Sequence, residues 1–264
     1  MISSKYKFRT TEVQLNIPKE GARKYLIEST NYINYTGEIR CSNKKEISFS
    51  LEYNEDQPYT RFVHIEIESN SFKFSDGSFA MQDIIKRTAS VYAKLNLRLS
   101  YLGEILAIDN MEELQENWSE LKIYFKSKFK GNQIQRFIVK TDTILNSEEE
   151  AIKDISLYHN FGGLIKSMYQ KYSSDSCSNT SQYLSTKYGK IFMKEDVLLQ
   201  SVKETEEIQL QLQSHYPKNE EYVSVNGTYN FKGILESWLQ RAVISSIEKY
   251  GRQEYHNTVS VIQL

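Results

Sequence analysis

The sequence predicts an α+β protein: a long, strongly curved antiparallel sheet or partly open barrel, with two central helices, about 110–130 and 147–172, packed on it. Three observations carry this. Ile47, Phe49, Leu51 and Tyr53 alternate with polar residues, and Val63, Ile65 and Ile67 alternate with His64, Glu66 and Glu68. A period of two marks strands with one wet and one buried face. Met111, Leu114, Trp118, Leu121, Phe125 and Phe129 instead recur every three or four residues, a helical stripe. The order is strands, helices, strands, with no βαβα alternation, which argues against a parallel doubly wound sheet. Long antiparallel strands must coil, hence the expected curvature.

In chain order, 5–15 and 22–40 read as strands broken by Pro18 and Gly21. After the strands at 47–53 and 63–67, Asp76-Gly77 is a tight-turn signal between Phe74 and Phe79. Ala89, Val91, Ala93, Leu95, Leu97, Leu99 and Tyr101 alternate with polar residues and predict one long strand over about 86–101. Asn110 with Glu113 reads as a capping box opening the first helix; acids crowd its front, Lys122, Lys126 and Lys128 its back, and Gly131 stops it. Residues 134–145 fit either a short strand or a continuing helical hairpin. Ser147 with Glu150 is a second capping box, opening a helix to about Tyr172 that Gly162-Gly163 interrupts.

Residues 173–181, rich in serine, read as a flexible link. The period of two then returns at Ile208, Leu210 and Leu212, and Asn226-Gly227 is a hairpin dipeptide. The segment 233–250 fits a helix or a hairpin, and its β-prone run Ala242–Ile247 favours the hairpin. The alternation around Val259 and Val261 predicts a last strand sewn into the sheet. The expected organisation is one β-rich domain, 1–264: a β-rich half 1–108, a helical insert 109–172, the Ser-rich link 173–181 and a β-rich half 182–264.

The bulk numbers exclude several classes. Thirty-three Lys and Arg against 34 Asp and Glu leave a net charge of -1, so nothing argues for nucleic acid or an anionic membrane surface. No apolar run approaches the roughly 18 residues of a membrane span. The start, Met1 to Arg9, has no apolar core after its charges, so no signal peptide and a cytoplasmic location are expected. The two cysteines, Cys41 and Cys177, make neither a metal motif nor a disulfide framework.

Two passages, Leu99-Ser-Tyr-Leu-Gly-Glu-Ile-Leu-Ala-Ile-Asp-Asn110 and Asn226-Gly-Thr-Tyr-Asn-Phe-Lys-Gly233, resemble those of uncharacterised β-rich bacterial proteins, many of them lipoproteins. The resemblance is one of pattern over about half the chain. It implies a wrapped antiparallel fold and no known catalysis. The chain departs from those families in having no lipobox cysteine near its start.

Catalytic motifs are scarce. There is no Gly-rich phosphate loop and no nucleophile elbow. None of His64, His159, His215 and His256 has a partner spaced for a metal pair. His64, Glu66 and Glu68 share one strand face, which fits a solvated face better than an acid/base trio. His159 falls on the apolar side of the second helix, where a histidine is usually a hydrogen-bonded core residue and sometimes a ligand. The basic residues from Lys122 to Lys140, interleaved with aromatics, hint at phosphate binding, but the helix dipole and the core account for most of them. Trp118 lies on the core stripe, and Trp238 would anchor a contact if exposed. The expected function is non-enzymatic binding or assembly, as a structural or adaptor subunit of a larger bacterial complex such as a secretion or phage-tail-like apparatus. Trp118, His159 and Trp238 are the candidate binding residues. Other protein subunits are the expected partners, with no cofactor, metal or nucleic acid. The alternatives are a carrier of a lipid or small hydrophobe in the curved sheet, and an enzyme with a dispersed site around His159.

Overall fold

A computed structural model describes residues 12–14, 21–33, 38–74, 79–100, 103–158, 165, 171–173, 178–186, 189–202, 207–218, 221–232, 234–248 and 251–264. The strands are β1 (Glu12–Gln14), β2 (Gly21–Ile33), β3 (Glu38–Tyr53), β4 (Thr60–Phe74), β5 (Lys94–Ser100), β6 (Ile105–Ile108), β7 (Lys171–Ser173), β8 (Ser178–Thr186), β9 (Gly189–Val202), β10 (Glu207–Lys218), β11 (Glu221–Lys232), β12 (Ile234–Glu248) and β13 (Gly251–Gln263). Four helices stand among the described residues: α1 (Phe79–Val91), α2 (Met111–Lys128), α3 (Asn132–Leu145) and α4 (Glu148–Tyr158).

The main sheet is antiparallel and open, in the order β6-β5-β4-β3-β2-β13-β12-β11-β10-β9-β8. β1 and β7 form a separate pair. The predicted α+β class and curved, unclosed sheet are observed. The curl is visible in one contact: α4 lies against both β6 and β8, the two end strands of the sheet. The helices pack in succession, α1 on α2, α2 on α3 and α3 on α4, and α1 also meets β4. Their buried residues share one core with the inner residues of β2 to β5. Among the described residues no helix is long and apolar enough to cross a membrane.

The period of two explains the inner face. Tyr25 and Ile27 on β2, Ile47, Phe49 and Leu51 on β3, Val63 and Ile65 on β4, and Leu95, Leu97 and Leu99 on β5 are all buried in one core. Leu199 of β9 and Val261 of β13 join it. Tyr25 meets Phe49 edge to face at 6.1 Å, a favoured ring geometry. The helices add Ile84, Leu114, Trp118, Phe125, Ile134, Ile138, Leu145 and Ile155.

The long strand expected over 86–101 is not one element. Its first part is the end of α1, and β5 starts only at Lys94. The alternation from Ala89 to Ala93 rests on alanines, which favour helix. A 3.6-residue period runs underneath it: Ile84 and Val91 face the core while Asp83 and Arg87 pair one turn apart at 2.9 Å. Gly103, with φ of 78°, then takes the left-handed conformation in the turn from β5 to β6.

The first capping box also differs. Asn110 precedes α2 but makes no side-chain cap. Its Oδ1 accepts from the Asn96 N–H at 2.9 Å, and its Nδ2 donates to the Lys94 carbonyl at 3.0 Å and to Glu113 at 3.1 Å. Asn110 therefore ties the helix start to β5. Of the second box one half is seen: Ser147 Oγ accepts from the Glu150 N–H at 3.4 Å, while the Ser147 N–H donates to the Ile144 carbonyl at 3.3 Å and Glu150 pairs with Lys153. Residues 134–145 are helical, within α3. The helix expected to reach Tyr172 has α4 ending at Tyr158, and Lys171–Ser173 is a strand whose backbone pairs with Glu12–Gln14. Ser178–Ser181, the second half of the Ser-rich stretch, belongs to β8. The 233–250 segment is the expected hairpin arm, β12 pairing with β13 from Ser237↔Ile262 to Glu248↔Gly251.

Candidate functional site

The described residues enclose a groove between β4 and α1. β5 pairs with β4 only from Thr60 to Glu66, so Ile67–Phe74 overhangs it. The overhang is hydrogen-bonded to β3 on its other side. The Ile67 N–H donates to the Ala93 carbonyl at 2.8 Å, which pins the base of α1 to the strand. Beside that point strand and helix border a volume of about 480 Å³. Ile67 to Phe72 form one wall in unbroken sequence, and Lys86, Ala89, Ser90 and Ala93 form the other. The β3–β4 register shifts between Glu46 and Ile47, leaving Glu68 opposite no residue. Such a bulge bends and twists a strand, and it sits where the groove opens.

Charge around the groove is unevenly answered. Glu68 points to the outer side, where Lys24 donates to it at 2.7 Å and Ser48 also donates. Those hydrogen bonds, outweighing partial burial, hold its carboxyl below the usual value. Lys86 lines the groove, is exposed, and has no ion-pair partner among the described residues. Lys45 is on the inner face of β3, between Ile27 and Asn70 in register, and is 4% exposed. Burial drives its amine down to about 8.

The residues singled out from the sequence are placed elsewhere. Trp118 is buried in the helical layer, its ring 6.1 Å from Phe125 and 6.3 Å from Phe137. Its Nε1–H donates to Asp142 at 2.8 Å, and Lys122 donates to the same oxygen at 2.7 Å. Burial pushes the Asp142 carboxyl up. The hydrogen bonds from Lys122 and Trp118 and the charges of Lys122 and Lys126 outweigh it, so the group lies below its usual range. Trp238 is on β12, between Tyr229 of β11 and Val261 of β13 in register. His159 lies outside the described residues. The three are not brought together with the groove among the residues described.

His64 hydrogen-bonds Asn96 through Nδ1 at 2.9 Å and lies 3.5 Å from Glu52, while Glu66 pairs with Lys94. The trio with Glu66 and Glu68 is thus divided among separate partners. Among the described residues no group of three His, Cys, Asp or Glu is placed to hold a metal ion. In the basic stretch, Lys122 is tied to Asp142, and Lys128 donates to the Tyr124 hydroxyl at 2.6 Å and reaches Asp83 at 3.6 Å.

Asp142→Ala removes the acceptor shared by Trp118 and Lys122. We expect a loss of about 1–3 kcal/mol at neutral pH in urea denaturation. The Asp142 carboxyl has a lowered folded value, so its contribution is complete above the ordinary carboxylate range and vanishes as pH falls through the folded value. The gap between wild type and Asp142→Ala should close in acid.

The sequence reading missed the groove because it took 86–93 as strand. The signal was present in the Asp83–Arg87 spacing and in the unequal lengths of the runs that became β4 and β5.

Fold and groove together define an α+β protein with a curled open sheet, lined by helices and grooved between a strand edge and a helix. No family model matches the chain, and no curated protein does. Six chains of solved structures match it. One belongs to a structure described as "Lipid-protein interactions in lipovitellin", with 9% identity and a TM-score of 0.47 over 94% of this chain. The present chain spans 25% of the length of that one.

Proposed function

We propose that the chain is a non-enzymatic binding protein, acting as a structural or adaptor subunit that docks another protein. The observation behind this is the groove of about 480 Å³ with a strand edge as one wall and a helix as the other. Backbone on one side and small side chains on the other suit recognition of another chain better than bond-making chemistry. The titratable groups with displaced protonation support the same view. Asp83 binds Arg87 and Tyr124, Asp142 binds Trp118 and Lys122, and Tyr92 donates to buried Asp154 at 3.1 Å. These pairs join elements of the fold. We read residues 1–264 as one domain and its location as cytoplasmic.

A photo-crosslinking residue placed at Ser90, in the groove, tests this in the source cells. The expected result is a discrete protein adduct at Ser90 and none from the same residue at Glu116 on α2. Equal labelling at both positions, or only small-molecule adducts at Ser90, would overturn it. The second outcome favours the carrier of a small hydrophobe, a reading that draws on Ile67, Phe72, Ala89 and Ala93 in the same lining.

A further inference from the structure

We propose that the groove takes an extended, acidic segment of the partner protein as an added strand on β4. This rests on the protein-docking function above and specifies how the partner is held.

The lining itself carries the argument. Side chains of a strand alternate between its two faces, so a pocket on one face touches every second residue. Ile67 to Phe72 line this one consecutively, so the groove runs along the strand's edge. On that side the last pairing is at Glu66, and the last backbone bond is from the Ile67 N–H to Ala93. From there to Phe74 no strand among the described residues answers the edge. An open edge is a template for another strand, and proteins normally cover theirs. In this sheet α4 touches both end strands. The Ile108 N–H on β6 donates to the Glu148 carboxylate at 2.8 Å, and β8 lies against α4. The flank of β4 from Ile67 to Phe74 has no strand partner on the β5 side among the described residues.

The opposite wall suits a strand. Ala89, Ser90 and Ala93 are small and leave room for a backbone beside β4. Six residues, Ile67 to Phe72, offer a pairing length of about 20 Å. An edge facing a helix is a recurring way of holding extended peptides, with main-chain bonds giving affinity and side chains giving choice. Choice here comes from charge. Glu68 is answered by Lys24 and Ser48, whereas Lys86 has no ion-pair partner among the described residues. The groove therefore selects a segment with an Asp or Glu opposite Lys86.

The test uses the full chain and a library of short linear peptides displayed on phage. A selected peptide is synthesised and titrated against wild type, Ala89→Trp, which fills the groove, and Lys86→Glu, a surface change that leaves the fold unburdened. Three results are expected. Selected peptides carry an acidic residue, and both variants weaken binding by tenfold or more. Bound peptide slows amide exchange at 67–74. Methylation of single peptide nitrogens abolishes binding at every second position, the signature of a strand ladder. Peptides that bind with no such alternation, or that protect another surface, overturn strand addition while leaving protein docking intact. A library that enriches nothing on wild type over Ala89→Trp overturns the proposal as well, and a groove adduct in the crosslinking experiment would then show docking by another mode.

Discussion

Phe125→Ala should cost about 3–5 kcal/mol and lower the melting temperature by roughly 10 °C. Phe125 is fully buried at the centre of the helical layer. Its ring lies 6.1 Å from Trp118, 6.2 Å from Phe137, 5.8 Å from Tyr124 and 6.0 Å from Phe129. Truncation removes the transfer energy of the ring and leaves a cavity among four aromatics that cannot all collapse inward. The loss is large against a total stability of about 5–15 kcal/mol. Urea denaturation at unchanged slope checks it, with Phe125→Leu expected to lose less than half as much. A loss below about 1 kcal/mol would show that the cluster relaxes around the truncated side chain.

The second large effect concerns Lys45. Its amine is held at about 8 by burial, against an ordinary 10.5. Between those values the unfolded chain holds more protons than the folded one, so stability climbs as pH rises through this window. Below about 8 the cost of burying the charge is fully present, and above 10.5 it is gone. Each tenfold change in proton affinity is worth about 1.4 kcal/mol, so the swing is on the order of 3 kcal/mol. Lys45→Met keeps the volume and removes the titration. The variant should be more stable than wild type at pH 7, with the difference shrinking toward pH 10.5. A difference that stays constant across the window refutes this account. Above pH 10 a fall common to both proteins sets in, because burial pushes Tyr25 up to about 12 and also raises Tyr92, beside Asp154. There the unfolded chain releases tyrosine protons first and stability falls.

These residues show what the sequence made legible. The stripe from Met111 to Phe129 located α2 and its buried face, because a long stripe at helical spacing has one way to hide. The alternation at 47–53 and 63–67 located the inner face of β3 and β4 for the same reason. Lys45 was invisible. It continues the inward parity of Ile47 and Phe49, but a lysine beside Lys44 reads as the wet end of a strand. The groove was invisible for another reason. It depends on where β5 stops pairing, and that follows from the switch between α1 and β5 near Tyr92, in a stretch whose alanines satisfy both periods. Asn110 shows the limit of local motifs: the capping spacing is present, yet the backbone of Asn96 and Lys94 competes for the side chain and wins it.

The pairing of β13 with β2 ties residues 255–263 to residues 25–33. It sets the order of events when the chain is made. The first half emerges with one flank of β2 unanswered, and the strand that fills it, β13, is made only after all the elements between them. Until then the growing chain carries an adhesive margin, with Ile27 waiting for Val261. Closure over such a sequence distance is slow. Folding should therefore be limited by arrival of β13 and be prone to mispairing at high concentration. A protein that docks others by lending them a strand edge would, during its own synthesis, have to keep a second edge from doing the same.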